Sequence, residues 1–303
     1  MTALSIGIDA GTGPLVLLLH GFPELPSSWR LQVDPLVAQG YRVVAPYLRG
    51  YGPSPAVAGD QLLATTIADD IADTIEACGE EQAVVVGHDW GAVATWMVAQ
   101  LRPERVRAMA ALSVPYPNRS SRPPTQVFQH LFGDSFFYIN YFQEPGKAES
   151  ELEPQLERFL VGIYAAASAS PPPGALRQLP ASAGFLEQLP EPDALPVFLD
   201  PALLDEAVQT FGRAGLAGPL AYYRGLDPTW EQVPAFGATD VTCPAMFLAG
   251  ERDTVLAFTP LDAMRERVTD LRRLTLLPEA GHWVQAEAPE AVTAELLGFL
   301  ATV

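Results

Sequence analysis

The residue best suited to chemistry is a carboxylate at the apex of a tight turn. Asp89 lies between Gly87 and Gly91; the valine-rich run before it, 83–86, is typical of a buried strand, and the run after it, 92–101, has helical spacing. A strand that turns directly into a helix needs glycine because the turn has no room for a Cβ atom. The turn therefore predicts that Asp89 projects from the carboxyl edge of a parallel sheet, where open α/β folds bind ligands.

Two more reactive side chains follow later predicted strands. Asp253 comes after the strand 245–248 and a short turn, and His282 comes after the strand 271–277 and a loop glycine. Nucleophile, then acid, then histidine is the chain order of the α/β-hydrolase fold. Glu251 is an alternative to Asp253 as the acid that orients the histidine. We expect Asp89, Asp253 and His282 to meet at one sheet edge.

An aspartate nucleophile implies a particular reaction. A carboxylate has a pKa of about 3.9 and is ionised at pH 7, so Asp89 needs no base for its own attack, unlike serine. It can displace a leaving group at a saturated carbon and form an alkyl ester. His282, held by Asp253, can then activate the water that hydrolyses this ester. No metal or organic cofactor is needed, and a serine esterase is excluded unless another residue is the nucleophile.

A stiff loop follows the predicted strand 15–19. It contains a glycine and a proline, which fold the backbone closely and fix its direction. The loop reads His20, Gly21, Phe22, Pro23, Glu24. It can aim the backbone N–H of Phe22 at a developing oxyanion. His20, Gly21 and Pro23 are expected to be structural, with His20 tying the loop down through hydrogen bonds.

The composition excludes several classes of protein. The 303 residues fit one large domain, or a domain with a sizeable insertion, and the net charge of −18 argues against nucleic acid and anionic membranes as partners. Cys78 and Cys243 lie far apart, and no cysteine or histidine spacing indicates a disulfide framework or a metal site. With no signal peptide or membrane-length apolar run in the sequence, we expect a cytoplasmic protein.

Strands and helices alternate at both ends of the chain. The predicted strands are 4–8, 15–19, 41–45, 83–86, 106–114, 245–248 and 271–277, with helices at 62–78 and 292–300. On the helix 62–78, Asp69, Asp70 and Asp73 are expected to face outward. From 115 to 234 no clear strand is visible. We predict an α/β-hydrolase fold whose mostly parallel central sheet is flanked by helices, with a core domain at 1–114 and 235–303 and a helical cap, 115–234, inserted after the sixth strand.

The chain resembles the soluble-type epoxide hydrolases of the α/β-hydrolase superfamily. The matching stretches are 20–24, 87–91, Tyr138 and 141–146, 222–224, 250–253 and 281–283. The resemblance implies that Tyr138 and Tyr223 open the epoxide ring and that the backbone amides of Phe22 and Trp90 form the oxyanion hole. It also implies a small apolar epoxide and water as substrates. Relatives usually have one more strand at the N-terminus, and a monomer or a homodimer is expected.

The tyrosine assignments have a structural alternative. Tyr138, Tyr141 and Phe142 share a helix face, and such an aromatic stripe is more often packing than catalysis. Tyr141 and Tyr222 are the neighbours that could be confused with Tyr138 and Tyr223. A second set of aromatic residues is expected to line an apolar substrate pocket. These are Phe22, Trp90, Phe142 and Trp283.

Other functions of the same fold remain as alternatives. A haloalkane dehalogenase uses the same aspartate nucleophile, but its halide site needs side-chain N–H donors; Trp90 offers one, whereas Phe22 offers none. A fluoroacetate-type dehalogenase needs arginines near the elbow, and none is directly beside Asp89. A ligand-binding protein that has lost turnover is less expected, because no catalytic position is missing.

Overall fold

The computed structural model describes residues 3–59, 61–175, 177–259 and 261–303. Seven strands form one sheet in the order β1-β3-β2-β4-β5-β6-β7, with β1 antiparallel to β3 and every other pair parallel. The strands are β1 Ile6–Ala10, β2 Leu15–Leu19, β3 Arg42–Pro46, β4 Ala83–His88, β5 Val106–Leu112, β6 Ala245–Gly250 and β7 Leu271–Leu277. The mostly parallel sheet predicted from the sequence is confirmed.

Thirteen α-helices are assigned within the described residues. Six belong to the two ends of the chain: α1 Arg30–Ala38, α2 Ala64–Ala77, α3 Trp90–Leu101, α11 Asp262–Arg267, α12 Val284–Glu287 and α13 Pro289–Leu300. The other seven lie between β5 and β6: α4 Pro124–Phe132, α5 Tyr138–Tyr141, α6 Lys147–Leu152, α7 Leu156–Ala166, α8 Pro201–Ala214, α9 Ala217–Arg224 and α10 Leu226–Gln232.

The inner strands of the sheet, β2 to β6, are largely buried on both faces, as their continuous apolar runs predict, whereas β1 and β7 at the edges are partly exposed. Successive residues of a strand point to opposite faces. Val84 and Val86 belong to one apolar cluster, which includes residues of α1 and α13, and Val85 belongs to the other, which includes residues of α2 and α3. Helices therefore cover both faces, and the carboxyl ends of the parallel strands remain as the edge where side chains can meet a ligand.

The segment 115–234, called the insertion below, is helical. Among its described residues the only β pairing is an isolated bridge between Ser135 and Pro180. The prediction placed the insertion after the sixth strand, but five strands of the described sheet precede it and two follow it, so the predicted position is one strand too high.

Several strand ends differ from the sequence prediction by one or two residues. Two differences, one at a strand end and one on a helix, have a local cause. The first strand begins at Ile6 and not at Leu4, because Leu4 is buried and its N–H donates to Thr74 Oγ1 at 3.0 Å. Asp70 was expected to face outward, but it is buried and forms a bidentate ion pair with Arg49, at 2.6 and 2.5 Å. An aspartate on the polar side of a helix can thus be buried where a loop supplies its counter-charge.

Candidate active site

The turn between β4 and α3 holds Asp89 in an unusual conformation. Its φ of 52° and ψ of −117° lie where residues other than glycine are rarely found. A Cβ on Gly87 would lie 2.0 Å from the Gly91 carbonyl oxygen, and a Cβ on Gly91 would lie 2.1 Å from the Leu19 carbonyl oxygen. Both glycines are therefore required by close packing, and the turn projects the Asp89 side chain beyond the sheet edge.

The loop after β2 holds one oxygen of this carboxylate. Leu19 pairs with Gly87, so the loops that follow β2 and β4 begin side by side. The backbone N–H of Phe22 donates to Asp89 Oδ1 at 2.8 Å. Burial raises the pKa of Asp89, but the hydrogen bond and charge of His282 and the Phe22 amide outweigh it, so the net pKa is lowered. Asp89 is therefore ionised, and its Oδ2 is not held by this loop.

A histidine and a second carboxylate complete this side of the site. His282 Nε2 lies 3.4 Å from Asp89 Oδ2, and His282 Nδ1 lies 2.9 Å from Asp253 Oδ2. Asp253 is buried and also accepts the Val255 N–H at 2.9 Å, whereas Glu251 is exposed. Burial alone would lower the pKa of His282, but Asp253 and Asp89 raise it well above its ordinary value. The geometry favours Asp253 over Glu251 as the orienting acid.

The backbone of His282 is fixed by hydrogen bonds to residues of the insertion and to residues outside it. Its carbonyl oxygen accepts hydrogen bonds from His88 Nε2 and Ser113 Oγ, each at 2.8 Å. Its N–H donates to the Ala167 carbonyl of the insertion at 3.0 Å. Glu24 lies 2.7 Å from His88 Nδ1. The sequence prediction did not assign His88, Ser113 or Glu24 to the support of His282, although His88 and Glu24 stand inside the two motifs that it used.

The loop histidine has a structural environment. His20 is fully buried, its Nε2 accepts the Leu48 N–H at 3.1 Å, and its Nδ1 donates to the Gly21 carbonyl at 2.9 Å. Burial lowers its pKa to about 4, so the ring is neutral at pH 7. A Cβ on Gly21 would lie 2.5 Å from Asp89 Cβ, so glycine is required there. Pro23 follows Phe22 in a cis peptide bond.

Two tyrosines of the insertion line the same cavity as the carboxylate. The rings of Tyr138 and Tyr223 are 5.9 Å apart at an angle of 83°, and the Tyr223 ring is 5.0 Å from that of Trp90. Burial and the charge of Asp89 raise the pKa of both phenols, and the charge of Asp253 adds to the effect on Tyr138. Both phenols therefore stay protonated at pH 7 and can act as hydrogen-bond donors.

The hydroxyls of the neighbouring tyrosines bond to residues outside the cavity wall, although Tyr222 itself is part of that wall. The Tyr141 hydroxyl donates to Glu151, and the Tyr222 hydroxyl donates to the Arg49 carbonyl at 3.1 Å. This difference in partners favours Tyr138 and Tyr223 over Tyr141 and Tyr222 as the phenols of the site.

A cavity of about 320 Å³ lies between the sheet edge and the insertion. Asp89, Trp90, Tyr138 and Tyr223 are in its wall, together with apolar residues of α3 and α4. The apolar wall residues on these helices are Val93, Met97, Val127, Phe128 and Leu131. The sequence prediction used the helical spacing of 92–101 only to place a helix, and it assigned none of these five residues to the pocket. The cavity suits an apolar molecule whose polar group sits between Asp89 and the phenols.

Three of the four residues predicted to line the pocket are not in its wall. Phe142 is fully buried and stacks on Phe185 at 5.1 Å, and the Phe22 ring packs edge-on against Phe142 at 5.9 Å. Trp283 is buried behind His282, and its Nε1 donates to the Tyr164 carbonyl at 3.0 Å. These aromatic side chains support the site from behind, and of the four only Trp90 lines the cavity.

The described residues contain no group of three or more histidine, cysteine or acidic side chains placed to hold a metal ion. Within those same residues, no helix is both long and apolar enough to cross a bilayer.

Comparison with known proteins gives one consistent result. The family model for the alpha/beta hydrolase fold matches residues 14–289. Epoxide hydrolase A of Mycobacterium tuberculosis is 42% identical, with 97% of this chain and 92% of that protein covered. Epoxide hydrolase 3 of Siraitia grosvenorii is 34% identical, with 96% and 93% covered. The crystal structure of epoxide hydrolase A from Mycobacterium thermoresistibile superimposes with a TM-score of 0.91 at 40% identity, covering 99% of this chain and 98% of that one.

Proposed function

The chain is an epoxide hydrolase of the α/β-hydrolase superfamily, and on that premise we propose that it converts an apolar epoxide to a vicinal diol through an ester on Asp89. Three groups support this route: an ionised carboxylate, a histidine–carboxylate pair beside it, and two protonated phenols in the wall of the same cavity. We also propose that the insertion is a cap domain, because its helices supply the phenols and much of the cavity wall.

In the first step Asp89 attacks the epoxide. The Phe22 N–H holds Oδ1, so Oδ2 forms the new bond to carbon as the ring C–O bond breaks. The electron pair of that bond goes to the epoxide oxygen. This oxygen would carry the full negative charge of an alkoxide if no group donated a hydrogen bond or a proton to it. Tyr138 and Tyr223 donate hydrogen bonds to this oxygen, and proton transfer from one phenol makes it a hydroxyl.

In the second step water hydrolyses the ester. His282 Nε2 takes a proton from a water molecule whose oxygen attacks Asp89 Cγ. The oxyanion that forms is stabilised by the N–H groups of Phe22 and Trp90; Trp90 is the first residue of α3, where N–H groups lack a partner within the helix. When the intermediate collapses, the ester C–O bond breaks and the departing alkoxide takes the proton from His282 to become the second hydroxyl of the diol. The proton left on the Asp89 carboxyl returns to the phenolate, so that Asp89 and the tyrosine are both regenerated.

The presence of Asp89 and both phenols in the wall of one cavity is the observation that carries this proposal. It makes a specific isotopic prediction, because the new diol oxygen comes from the carboxylate and the water oxygen remains on Asp89. In a single turnover of styrene oxide in H₂¹⁸O, with enzyme in excess, we expect a diol without ¹⁸O. Incorporation of ¹⁸O into the diol in that first turnover would show direct attack by water and contradict the ester route.

A chloroalkane is the control substrate for the dehalogenase alternative, which would use the same aspartate. Chloroalkanes of matching length could also be displaced by Asp89, but Phe22 provides no side-chain N–H for the halide. We expect diol formation from epoxides and no halide release from 1-chlorohexane. Halide release without diol formation would identify the haloalkane dehalogenase alternative.

A further inference from the structure

We propose that Gln143 and Arg224 are positioning residues that set the distance and angle between the two phenols. This inference rests on the proposed roles of Tyr138 and Tyr223. Neither Gln143 nor Arg224 lines the cavity, so they act through the tyrosines and not on the substrate.

Gln143 joins the two backbone segments that carry the tyrosines. Its Nε2 donates to the Ile139 carbonyl at 2.8 Å and to the Tyr223 carbonyl at 3.1 Å. Ile139 is the residue after Tyr138, so one side-chain amide bridges α5 and α9 at the positions of the phenols. An amide nitrogen has two hydrogens, and both are used here.

Arg224 makes a second bridge, from α9 to the residue that follows α5. It follows Tyr223 at the end of α9, is 4% exposed, and its Nε donates to the Phe142 carbonyl at 2.9 Å. Its guanidinium also forms a bidentate pair with Glu149 of α6, at 2.9 and 3.0 Å. Because the planar guanidinium is bonded to Phe142 on one side and to Glu149 on the other, it fixes the direction of α9 as well as its distance from these residues.

These bridges act where the local structure is weak. Tyr138 lies on α5, which has four residues and no side-chain cap. Such a helix has little stability of its own, so its position depends on tertiary contacts. The phenols must both reach one epoxide oxygen, and a displacement of about 1 Å in a positioned group can cost on the order of 100-fold in rate.

The test separates the two half-reactions by single-turnover kinetics. Gln143→Met removes both hydrogen bonds and keeps a side chain of similar length. We expect ester formation to slow by about 10- to 100-fold, while the rate of ester hydrolysis changes by less than about 2-fold. Gln100→Met is the matched control: Gln100 is a buried glutamine that accepts the Gly237 N–H at 2.8 Å, and this hydrogen bond does not join the tyrosine helices. It should leave both rates near those of the parent.

A charge-preserving variant of Arg224 gives an independent test. Arg224→Lys can keep the attraction to Glu149 but cannot supply the guanidinium fork, so ester formation should slow selectively, and circular dichroism should show a folded protein. If Gln143→Met does not fold, the result for Arg224→Lys decides. Unchanged ester formation in a folded variant, or equal slowing of both steps, would overturn the positioning role.

The result that would contradict the proposed function differs from the result that would contradict the positioning role. If Tyr138→Phe and Tyr223→Phe both leave ester formation unchanged, the phenols are not the donors. If they slow it and the positioning variants do not, only the present inference is wrong.

Discussion

The two sides of the candidate site are held by different kinds of structure. On the sheet side, Asp89, Asp253 and His282 follow the parallel strands β4, β6 and β7. On the insertion side, Tyr138 and Tyr223 stand on helices of four and eight residues that are linked by side-chain hydrogen bonds. The sheet side is therefore fixed by strand register and close glycine packing, and the insertion side by tertiary contacts between short elements.

This difference matches a division of the chemistry. In the proposed reaction the sheet side forms and hydrolyses the ester, whereas the insertion side only assists the departure of the epoxide oxygen. Substitutions on the sheet side should therefore stop turnover or arrest it at the ester. Substitutions on the insertion side should slow the first step and spare the second.

Loss of the nucleophile should have the largest effect. Asp89→Ala removes the atom that bonds to carbon, so we expect turnover of an aryl epoxide to fall by at least about 10⁴-fold. Diol formation measured by chiral chromatography checks this, with circular dichroism to show that the protein is folded. Residual activity within about 10-fold of the parent would place the nucleophile elsewhere.

Loss of one phenol should have an intermediate effect. Tyr138→Phe or Tyr223→Phe removes one hydrogen-bond donor, and we expect ester formation to slow by about 10- to 1000-fold while ester hydrolysis is retained. Tryptophan fluorescence during a single turnover follows the first step, because Trp90 lies in the cavity wall. Tyr141→Phe and Tyr222→Phe are the matched controls, because these hydroxyls have partners outside the cavity.

The smallest expected effect is a difference in pH dependence. Burial and the charge of Asp89 raise the pKa of both phenols, so ester formation should not decline until the pH is above the ordinary tyrosine value of about 10. Asp253 and Asp89 raise the pKa of His282, which must be neutral to act as a base. Ester hydrolysis should therefore rise with pH. Ester formation removes the Asp89 charge, so the pKa of His282 should fall when the base is needed.

Stopped-flow rates of the two steps between pH 6 and 10 check this difference. If ester formation and ester hydrolysis share one pH profile, the two sides of the site do not act on separate steps.

The same division explains what could be predicted from the sequence. The elbow around Asp89 is recognisable because valine runs and glycines specify a strand and a tight turn locally. The positions of Phe142 and Trp283 were not recognisable, because an aromatic residue behind a cavity and one in its wall have the same local pattern. Asp70 was placed on the surface because its partner, Arg49, is brought to it only by the fold.

The central claim is that an ester forms on Asp89 and that His282 is needed to hydrolyse it. The most direct measurement is the intact mass of His282→Gln after incubation with styrene oxide. We predict a stable increase equal to the mass of the epoxide, located on the peptide that contains Asp89 and absent from Asp89→Ala/His282→Gln. Diol formation at the parent rate, or no mass increase in a folded His282→Gln protein whose diol formation has stopped, would contradict the account.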